Sequence, residues 1–144
     1  RHLPHYHFIR DAIASGKLGA LVEVTADHGQ RLTHVPRLIE PSMGGGAMLD
    51  LGVYPISLVH MALGNPASIQ AFGRVSDKGV DLGDVVIGQH SGGLSVATCQ
   101  LDGLSPTQAT LTFEGGSIVM QEQFYRPTKV SLRVISLDSD TGAP

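Results

Sequence analysis

Two side chains that could handle a proton together, Asp50 and Tyr54, stand four residues apart in the sequence. In a helix, this spacing places both side chains on one face. A phenol beside a carboxylate can exchange a proton with a hydroxyl or carbonyl group of a bound molecule, while the carboxylate orients that group. The surrounding residues are mostly apolar, so burying either group costs free energy unless it finds a polar partner. The pair therefore predicts a binding site or, alternatively, an Asp50 that caps backbone amides and a Tyr54 that only packs.

Glycines and a proline shape the backbone around this pair. The glycine triplet at 44–46 precedes it, and Gly52 lies between the two residues, where it would let a flat ring approach the backbone closely. Pro55 has no N–H to donate to the Leu51 carbonyl, which predicts a kink and leaves that carbonyl available as a polar contact. The triplet lacks the spacing and the Lys-Ser/Thr of a phosphate-binding loop, so no such loop is predicted.

The elements that must position the pair follow from hydrophobic periodicity. Apolar residues at helical spacing predict a helix over Pro4–Ser15, ended by Gly16. Alternation predicts a strand over 18–27, followed by a long irregular loop over 28–46. A mostly apolar helix over 47–63 then carries the pair. Six further strands are predicted at 69–75, 85–90, 94–101, 109–113, 117–121 and 129–137.

Consecutive strands joined by short turns predict an antiparallel meander, with glycine-rich turns at 91–93 and 114–116. The fold class is therefore α+β, an open, predominantly antiparallel β-sheet with helices on one face. Several strand residues look too apolar for full exposure on the other face, namely Val86, Val96, Ala97 and Ile118. We therefore expect a homodimer, or a larger homo-oligomer, in which a second subunit covers that face.

Composition and charge argue against several classes of function. The net charge is −3 and no run of like charges occurs, so we expect no nucleic-acid partner and no membrane partner. No apolar stretch is expected to span a bilayer. The single cysteine, Cys99, rules out an intrachain disulfide, and it predicts a cytoplasmic protein with an unreactive mid-strand thiol. Of the seven histidines, His2, His5 and His7 cluster at the start without an acidic or cysteine partner nearby, so no metal site is predicted.

The run GGGAMLDLGVYPISL at 44–58 resembles the signature of the glucose-fructose oxidoreductase / inositol dehydrogenase (Gfo/Idh/MocA) family. The signature is a glycine triplet followed by Asp, Gly and then His or Tyr. RDAIASGKLG at 10–19, TFEGGS at 112–117 and FYRP at 124–127 resemble the same family. The tyrosine and the FYRP run are most similar to its dihydrodiol and xylose dehydrogenase branch.

The resemblance implies a function and a missing half. Residues 1–144 would be the substrate-binding and dimerisation domain of a two-domain enzyme whose N-terminal dinucleotide-binding Rossmann domain is missing. In the family, hydride passes between NAD or NADP and the carbinol carbon of a sugar, polyol or diol. Asp50 would bind substrate hydroxyls, and Tyr54 would be the acid/base. The family's E-K-P lysine has no counterpart here, so we expect the chain alone to bind no cofactor and to be inactive.

Three loop residues complete the prediction, because the family's loop at this position lies near the substrate cleft. His34, Arg37 and Met43 are candidates for binding substrate hydroxyls. A non-catalytic oligomerisation or sugar-binding module of the same fold is the alternative interpretation. A hydrolase is not predicted, since Ser57 and His60, three residues apart on a helix, offer no acid to orient the base and no oxyanion hole.

Overall fold

The computed structural model describes residues 3–127 and 129–135 of the chain. Within them, the chain forms two α-helices and seven strands. In chain order these are α1 Pro4–Ser15, β1 Leu21–Gly29, α2 Val53–Leu63, β2 Ser68–Val75, β3 Asp81–Gln89, β4 Leu94–Gln100, β5 Ala109–Phe113, β6 Gly116–Gln121 and β7 Lys129–Val134. Short 3₁₀ turns at Pro36–Ile39 and Pro41–Met43 interrupt the long loop, and a π-helical turn at Met48–Gly52 leads into α2.

Most of the predicted elements are confirmed, and their differences have local causes. The helix over 4–15 and the strand over 109–113 match residue for residue. β1 begins at Leu21 and not at residue 18, because Gly19 adopts a left-handed φ of 76° that ends the turn after α1. The predicted helix over 47–63 is interrupted by the π-helical turn, where Pro55 removes the hydrogen bond to the Leu51 carbonyl. The part of the last predicted strand beyond residue 135 lies outside the described residues.

All seven strands form one sheet in the order β2-β3-β4-β1-β5-β6-β7. β1 lies between β4 and β5, parallel to β4 and antiparallel to β5. The other neighbouring pairs are antiparallel. The α+β class with a mainly antiparallel open sheet is confirmed, but the simple meander is wrong at its centre. Alternation within a strand does not report its neighbours, and here α2 carries the chain to the far edge, from which β2, β3 and β4 pair back toward β1.

Both helices pack on the same face of the sheet. The larger buried cluster joins Ile9 of α1 and Leu58 of α2 to Val24, Leu111 and Phe124. A second cluster lies beneath the long loop and consists of Leu38, Ala47, Leu51, Cys99 and Leu101. These two clusters fix α2 and the π-helical turn against the sheet, since close-packed side chains tolerate little displacement.

Three of the four apolar residues expected on the open face lie under the helices, so that expectation is corrected. Ala97 and Ile118 are 4% and 0% exposed. Val86 pairs with Ala97 and lines a cavity against α2. Val96 does face the open side, among Thr25, Asp27 and Thr98. The cause is the period of two in a strand: an apolar residue can face either layer, and the sequence does not state which.

The open face nevertheless carries an apolar patch on strands β2, β3 and β4. This β2–β4 patch consists of Phe72, Val85, Ile87, Leu94 and Val96. Phe72 is 67% exposed and Leu94 is 50% exposed. The central strands β1 and β5 contribute threonines to the same face, so the apolar character is confined to one half of the sheet.

The run from Pro41 to Leu63 corrects another expectation, because by length and composition it is apolar enough to cross a membrane. In the structure it is broken by the 3₁₀ turn, the glycine triplet and the π-helical turn. Its buried residues Leu58 and Val59 belong to the core cluster that packs on the sheet. This run is therefore a core segment of the described fold.

The carboxylate of Asp81, on strand β3 of the sheet, accepts a hydrogen bond from the start of the π-helical turn. The Met48 N–H donates to Asp81 Oδ2 at 2.6 Å. Gly46 has a φ of 123°, and a Cβ at this position would collide with Asp81 Oδ1. The turn and the carboxylate therefore fit each other only because residue 46 has no side chain.

Asp84 lies close to Asp81, and the pKa of its carboxyl group is raised. Burial, a hydrogen bond with Asp81 and the charge of Asp81 raise the pKa of Asp84 to about 6. The Cys99 thiol donates to Asp84 Oδ2 at 3.6 Å, and burial raises the pKa of this thiol to about 12. Cys99 is therefore a packed, protonated side chain.

We predict that Gly46→Ala lowers the free energy of unfolding by about 2–4 kcal/mol, because the forced φ alone costs roughly 1–3 kcal/mol and the new methyl displaces Asp81. Gly44→Ala is the matched control: its φ is 68° and no atom lies within 4 Å of the added Cβ. Its expected cost is about 1 kcal/mol. Urea denaturation followed by circular dichroism measures both, and equal losses would contradict the role of Asp81.

We predict that Asp84→Asn changes the free energy of unfolding in a way that depends on pH. Because the folded-state pKa of Asp84 is raised, its protonated form stabilises the fold below its ordinary pKa near 3.8. That stability is lost as pH rises through about 6. The amide introduced by the substitution keeps a donor toward Asp81 at every pH, so the variant gains stability relative to the wild type across this window.

Asp102→Asn is the control with the opposite sign. A hydrogen bond from Arg74 lowers the pKa of Asp102, so its contribution is present at neutral pH and is lost on acidification. If the free energies of unfolding of the wild type and Asp84→Asn change in parallel between pH 4 and pH 7, the raised pKa of Asp84 is refuted.

Candidate functional site

The predicted pair lies where the long loop meets α2. Asp50 sits in the π-helical turn and Tyr54 in the first turn of α2. Both are close to His28 at the end of β1: the charge of Asp50 acts on the His28 pKa, and the Tyr54 ring contacts the His28 ring. The two residues therefore lie on the side of the helix that faces the end of the central strand.

Arg37 provides the polar partner that Asp50 requires. Its Nη2 donates to Asp50 Oδ1 at 2.6 Å. The Asp50 side chain is 22% exposed and that of Arg37 is 53% exposed, so the pair is only partly shielded from solvent. The structure thus brings together two residues that the sequence predicted separately. It does not show Asp50 capping backbone amides, since the hydrogen bond it accepts among the described residues comes from Arg37.

The other two predicted loop residues lie on the exposed part of the same loop. Met43 ends the second 3₁₀ turn and is 61% exposed. His34 is exposed near the start of the first 3₁₀ turn. No hydrogen bond among residues 3–127 and 129–135 joins either residue to Asp50 or Tyr54. Their predicted role in binding stays a prediction.

Three rings form an aromatic cluster that the sequence analysis did not foresee. The ring centroids of His28 and Tyr54 are 5.0 Å apart, those of His28 and Tyr125 are 5.1 Å apart, and those of Tyr54 and Tyr125 are 4.8 Å apart. Tyr125 arrives from the segment after β6, within the FYRP run. A usable signal was present for His28, because it continues the buried alternation of Val24 and Ala26 by two residues.

The His28 ring is buried and contacts a polar side chain. It is 2% exposed, and its Nε2 lies 2.9 Å from Nε2 of Gln30. Burial lowers the pKa of His28 from its ordinary value of 6.5, although the Leu51 backbone and the charges of Asp27 and Asp50 oppose this shift. The ring is therefore neutral near pH 7.

A groove between α1 and α2 exposes the phenol of Tyr54. It has a volume of about 200 Å³ and is lined by Leu3, Tyr6, Ser57, Met61 and the phenols of Tyr54 and Tyr125. Tyr54 is 41% exposed, so a molecule in the groove can reach its ring. Asp50 does not line this groove. Asp50 and Tyr54 therefore both lie near His28, but they do not line the same cavity.

The glycines of this segment serve packing and not a ligand. A Cβ at Gly52 would lie 2.6 Å from Met48 Sδ and 3.1 Å from Cys99 Sγ, so Gly52 accommodates these sulfurs and no aromatic ring. A Cβ at Gly45 would lie 2.7 Å from the Leu38 carbonyl oxygen.

Backbone carbonyls thus crowd the glycine triplet, and the N–H groups of Gly45 and Gly46 donate to Glu40 and Leu38. A phosphate of NAD or NADP does not fit there. No three His, Cys, Asp or Glu side chains converge to hold a metal in the described part of the chain.

Several characterised proteins are similar to this chain. The family model described as GFO/IDH/MocA C-terminal domain matches residues 6–128. Trans-1,2-dihydrobenzene-1,2-diol dehydrogenase of Bos taurus is 32% identical over 136 residues, which are 92% of this chain and 41% of that protein. The protein of the same name from Danio rerio is 35% identical over 133 residues, 90% of this chain and 40% of that one. The chain spans about two fifths of the length of these relatives.

Solved structures share the fold at lower identity. An NAD binding oxidoreductase from Klebsiella pneumoniae gives a TM-score of 0.78 at 15% identity, covering 93% of this chain and 41% of that chain. An inositol dehydrogenase homolog from Azotobacter vinelandii, complexed with NAD⁺, gives 0.79 at 12% identity, covering 93% and 39%. The resemblance predicted from residues 44–58 is thus confirmed, and the chain belongs to the GFO/IDH/MocA C-terminal domain family.

Proposed function

We propose that this chain forms the substrate side of an NAD(P)-dependent oxidoreductase that acts on a sugar, polyol or diol. The observation that carries the proposal is the half-exposed phenol of Tyr54, held between two rings and open to a groove. The names of the relatives, which are diol dehydrogenases, support the reaction class. NAD or NADP, held by a dinucleotide-binding domain of the whole enzyme, would supply hydride transfer.

Tyr54 would donate or accept the proton at the substrate oxygen. A neutral His28 ring contacts its phenol ring edge-on and adds no charge beside it. Because the contact fixes the phenol within a packed cluster, its oxygen can be presented to a substrate hydroxyl at hydrogen-bonding distance, as acid/base catalysis requires. The groove beside it is mainly apolar and suits the carbon skeleton of a diol.

Asp50 and Arg37 would bind and orient substrate hydroxyls as a pair. The ion pair leaves one carboxylate oxygen of Asp50 and further guanidinium N–H groups of Arg37 for other partners. His34 and Met43 would contribute from the exposed rim of the same loop. A cytoplasmic location remains part of the proposal, on the basis of the single reduced cysteine.

In the whole enzyme, Tyr54→Phe is expected to lower turnover by a factor on the order of 10²–10⁴, the usual contribution of an acid/base group. Tyr125→Phe is the matched control, because it removes a phenol from the same cluster and keeps the ring contacts. Its expected loss is below about tenfold. Steady-state kinetics with a dihydrodiol and NADP would measure both. Unchanged turnover in Tyr54→Phe would reject the assignment and favour the non-catalytic module.

We also propose that a second copy of the chain covers the β2–β4 patch. Five apolar side chains on one half of an open sheet are more than an isolated surface usually exposes in one place. The ion pair between Arg74 and Asp102 lies beside this patch, with distances of 2.8 Å, and would form part of a polar rim.

Phe72→Glu is expected to convert the dimer to a monomer, because it places a charge at the centre of the apolar contact. Ile69→Glu is the control, since Ile69 is 60% exposed on the opposite face of the same strand. Light scattering of both variants and of the wild type distinguishes them. A monomeric wild type, or dissociation in both variants, would reject this face as the interface.

A further inference from the structure

A wide concavity lies beside the end of β1. We call it the strand-end bowl and define it by residues 29–32, 104–108 and 121–123. Its volume is about 810 Å³, within the range of small-molecule sites. Neither Asp50, Tyr54 nor Arg37 lines it. The bowl is therefore separate from the proposed catalytic groove.

The backbone around the bowl is strained. Thr107, Glu122 and Gln123 have φ values of 52°, 33° and 53°, and they are the non-glycine residues with positive φ in the described part of the chain. All three line the bowl. Left-handed backbone is unfavourable for side chains with a Cβ, most of all for a β-branched threonine. Strain of this kind persists where the surroundings impose it, and it concentrates at ligand clamps.

Specific hydrogen bonds impose the strain. The Asp27 carboxylate accepts the Thr107 N–H at 2.7 Å and the Gln108 N–H at 3.2 Å. The Thr107 carbonyl in turn accepts the Phe124 N–H at 3.0 Å, and the Phe124 side chain is fully buried. The Ser105 N–H donates to the Gly29 carbonyl at 3.2 Å. The three lining segments are thus tied to each other and to the core, so the shape of the bowl is set before any ligand arrives.

The lining is polar but carries almost no net charge. It presents four carboxamides and two hydroxyls, from Gln30, Gln108, Gln121, Gln123, Ser105 and Thr107. One cation and one anion, Arg31 and Glu122, offset each other. Leu104 lies at the rim and is 82% exposed, which provides an apolar surface beside the polar groups.

We propose that the strand-end bowl binds a neutral polyhydroxylated ligand, such as a sugar, as a second site. The Gln123 carboxamide oxygen already accepts from Arg126 and the Gln30 amide nitrogen already contacts His28. The carboxamides of Gln108 and Gln121 offer both donors and acceptors in one plane, which matches adjacent hydroxyl groups of a sugar. Leu104 would contact the C–H face of the ring. An anion would find one cation beside a carboxylate, and the Asp27 oxygens are already occupied by backbone N–H groups. A metal ion would find only one carboxylate among the lining residues.

The test is a titration of the isotope-labelled chain with maltose, followed by amide NMR signals. Saturable shifts are expected at Gln108, Gln121 and Gln123, with a dissociation constant of about 1 mM. Gln108→Ala and Gln121→Ala should each weaken binding about fivefold to tenfold, as expected for one or two lost hydrogen bonds. Gln70→Ala, on β2 with three strands between it and β5, should leave binding unchanged.

Absence of saturable shifts in the folded wild type, or shifts confined to Tyr54 and Tyr125, would overturn the proposal. Equal weakening by Gln70→Ala would overturn it too. Because none of these variants touches the Tyr54 groove, failure here leaves the proposed oxidoreductase function to its own test.

A second variant tests whether the strain serves binding. Glu122→Gly relieves the left-handed φ and is expected to raise the thermal midpoint while weakening maltose binding at least threefold, on the order of one lost contact. A stabilised variant with unchanged affinity would show that the strained turn is unrelated to a ligand and would count against the site.

Discussion

The carboxylate of Asp81 holds the start of the segment that carries Asp50 and Tyr54. A helix begins with N–H groups that have no partner within the helix, and burying them without an acceptor costs free energy. Asp81 meets this need from strand β3 by accepting the Met48 N–H, in space that Gly46 leaves open. The neighbouring Asp84, whose pKa is raised to about 6 mainly by burial, lies next to this carboxylate. The position of the phenol therefore depends on a pair of acids in a different strand.

Side chains at the end of β1 make contacts on both faces of the sheet. Successive residues of a strand point to opposite sides. His28 points into the helical layer and joins the rings of Tyr54 and Tyr125, whereas Asp27 points to the open side and holds the Thr107 turn. Gln30 then links the two places, because it bonds His28 and also lines the strand-end bowl. A central strand with neighbours on both edges is a rigid support for such a junction, since both ladders restrain it.

Much of this arrangement could be read from the sequence, because it is encoded locally. Helix α1, strand β5 and the kink before Pro55 follow from periodicity and from proline chemistry. Spacing predicted that Asp50 and Tyr54 lie on one side of the helix, and the family resemblance of the loop suggested Arg37. The sheet order was not predictable, because alternation reports two faces and no neighbours. His28 and Tyr125 were missed as a pair since they lie far apart along the chain, and only the fold brings their rings to 5.1 Å.

The place of β1 in the sheet also has a consequence for how the chain reaches its native state. The strand precedes its two partners, β4 and β5, by about seventy and ninety residues. Closing such long loops is slow, because their entropy is lost before the contacts that compensate for it can form. A nascent chain must therefore keep the apolar side of β1 out of wrong associations until Phe113 has left the ribosome. During that interval the unpaired strand is open to association with other chains, as any exposed strand edge is.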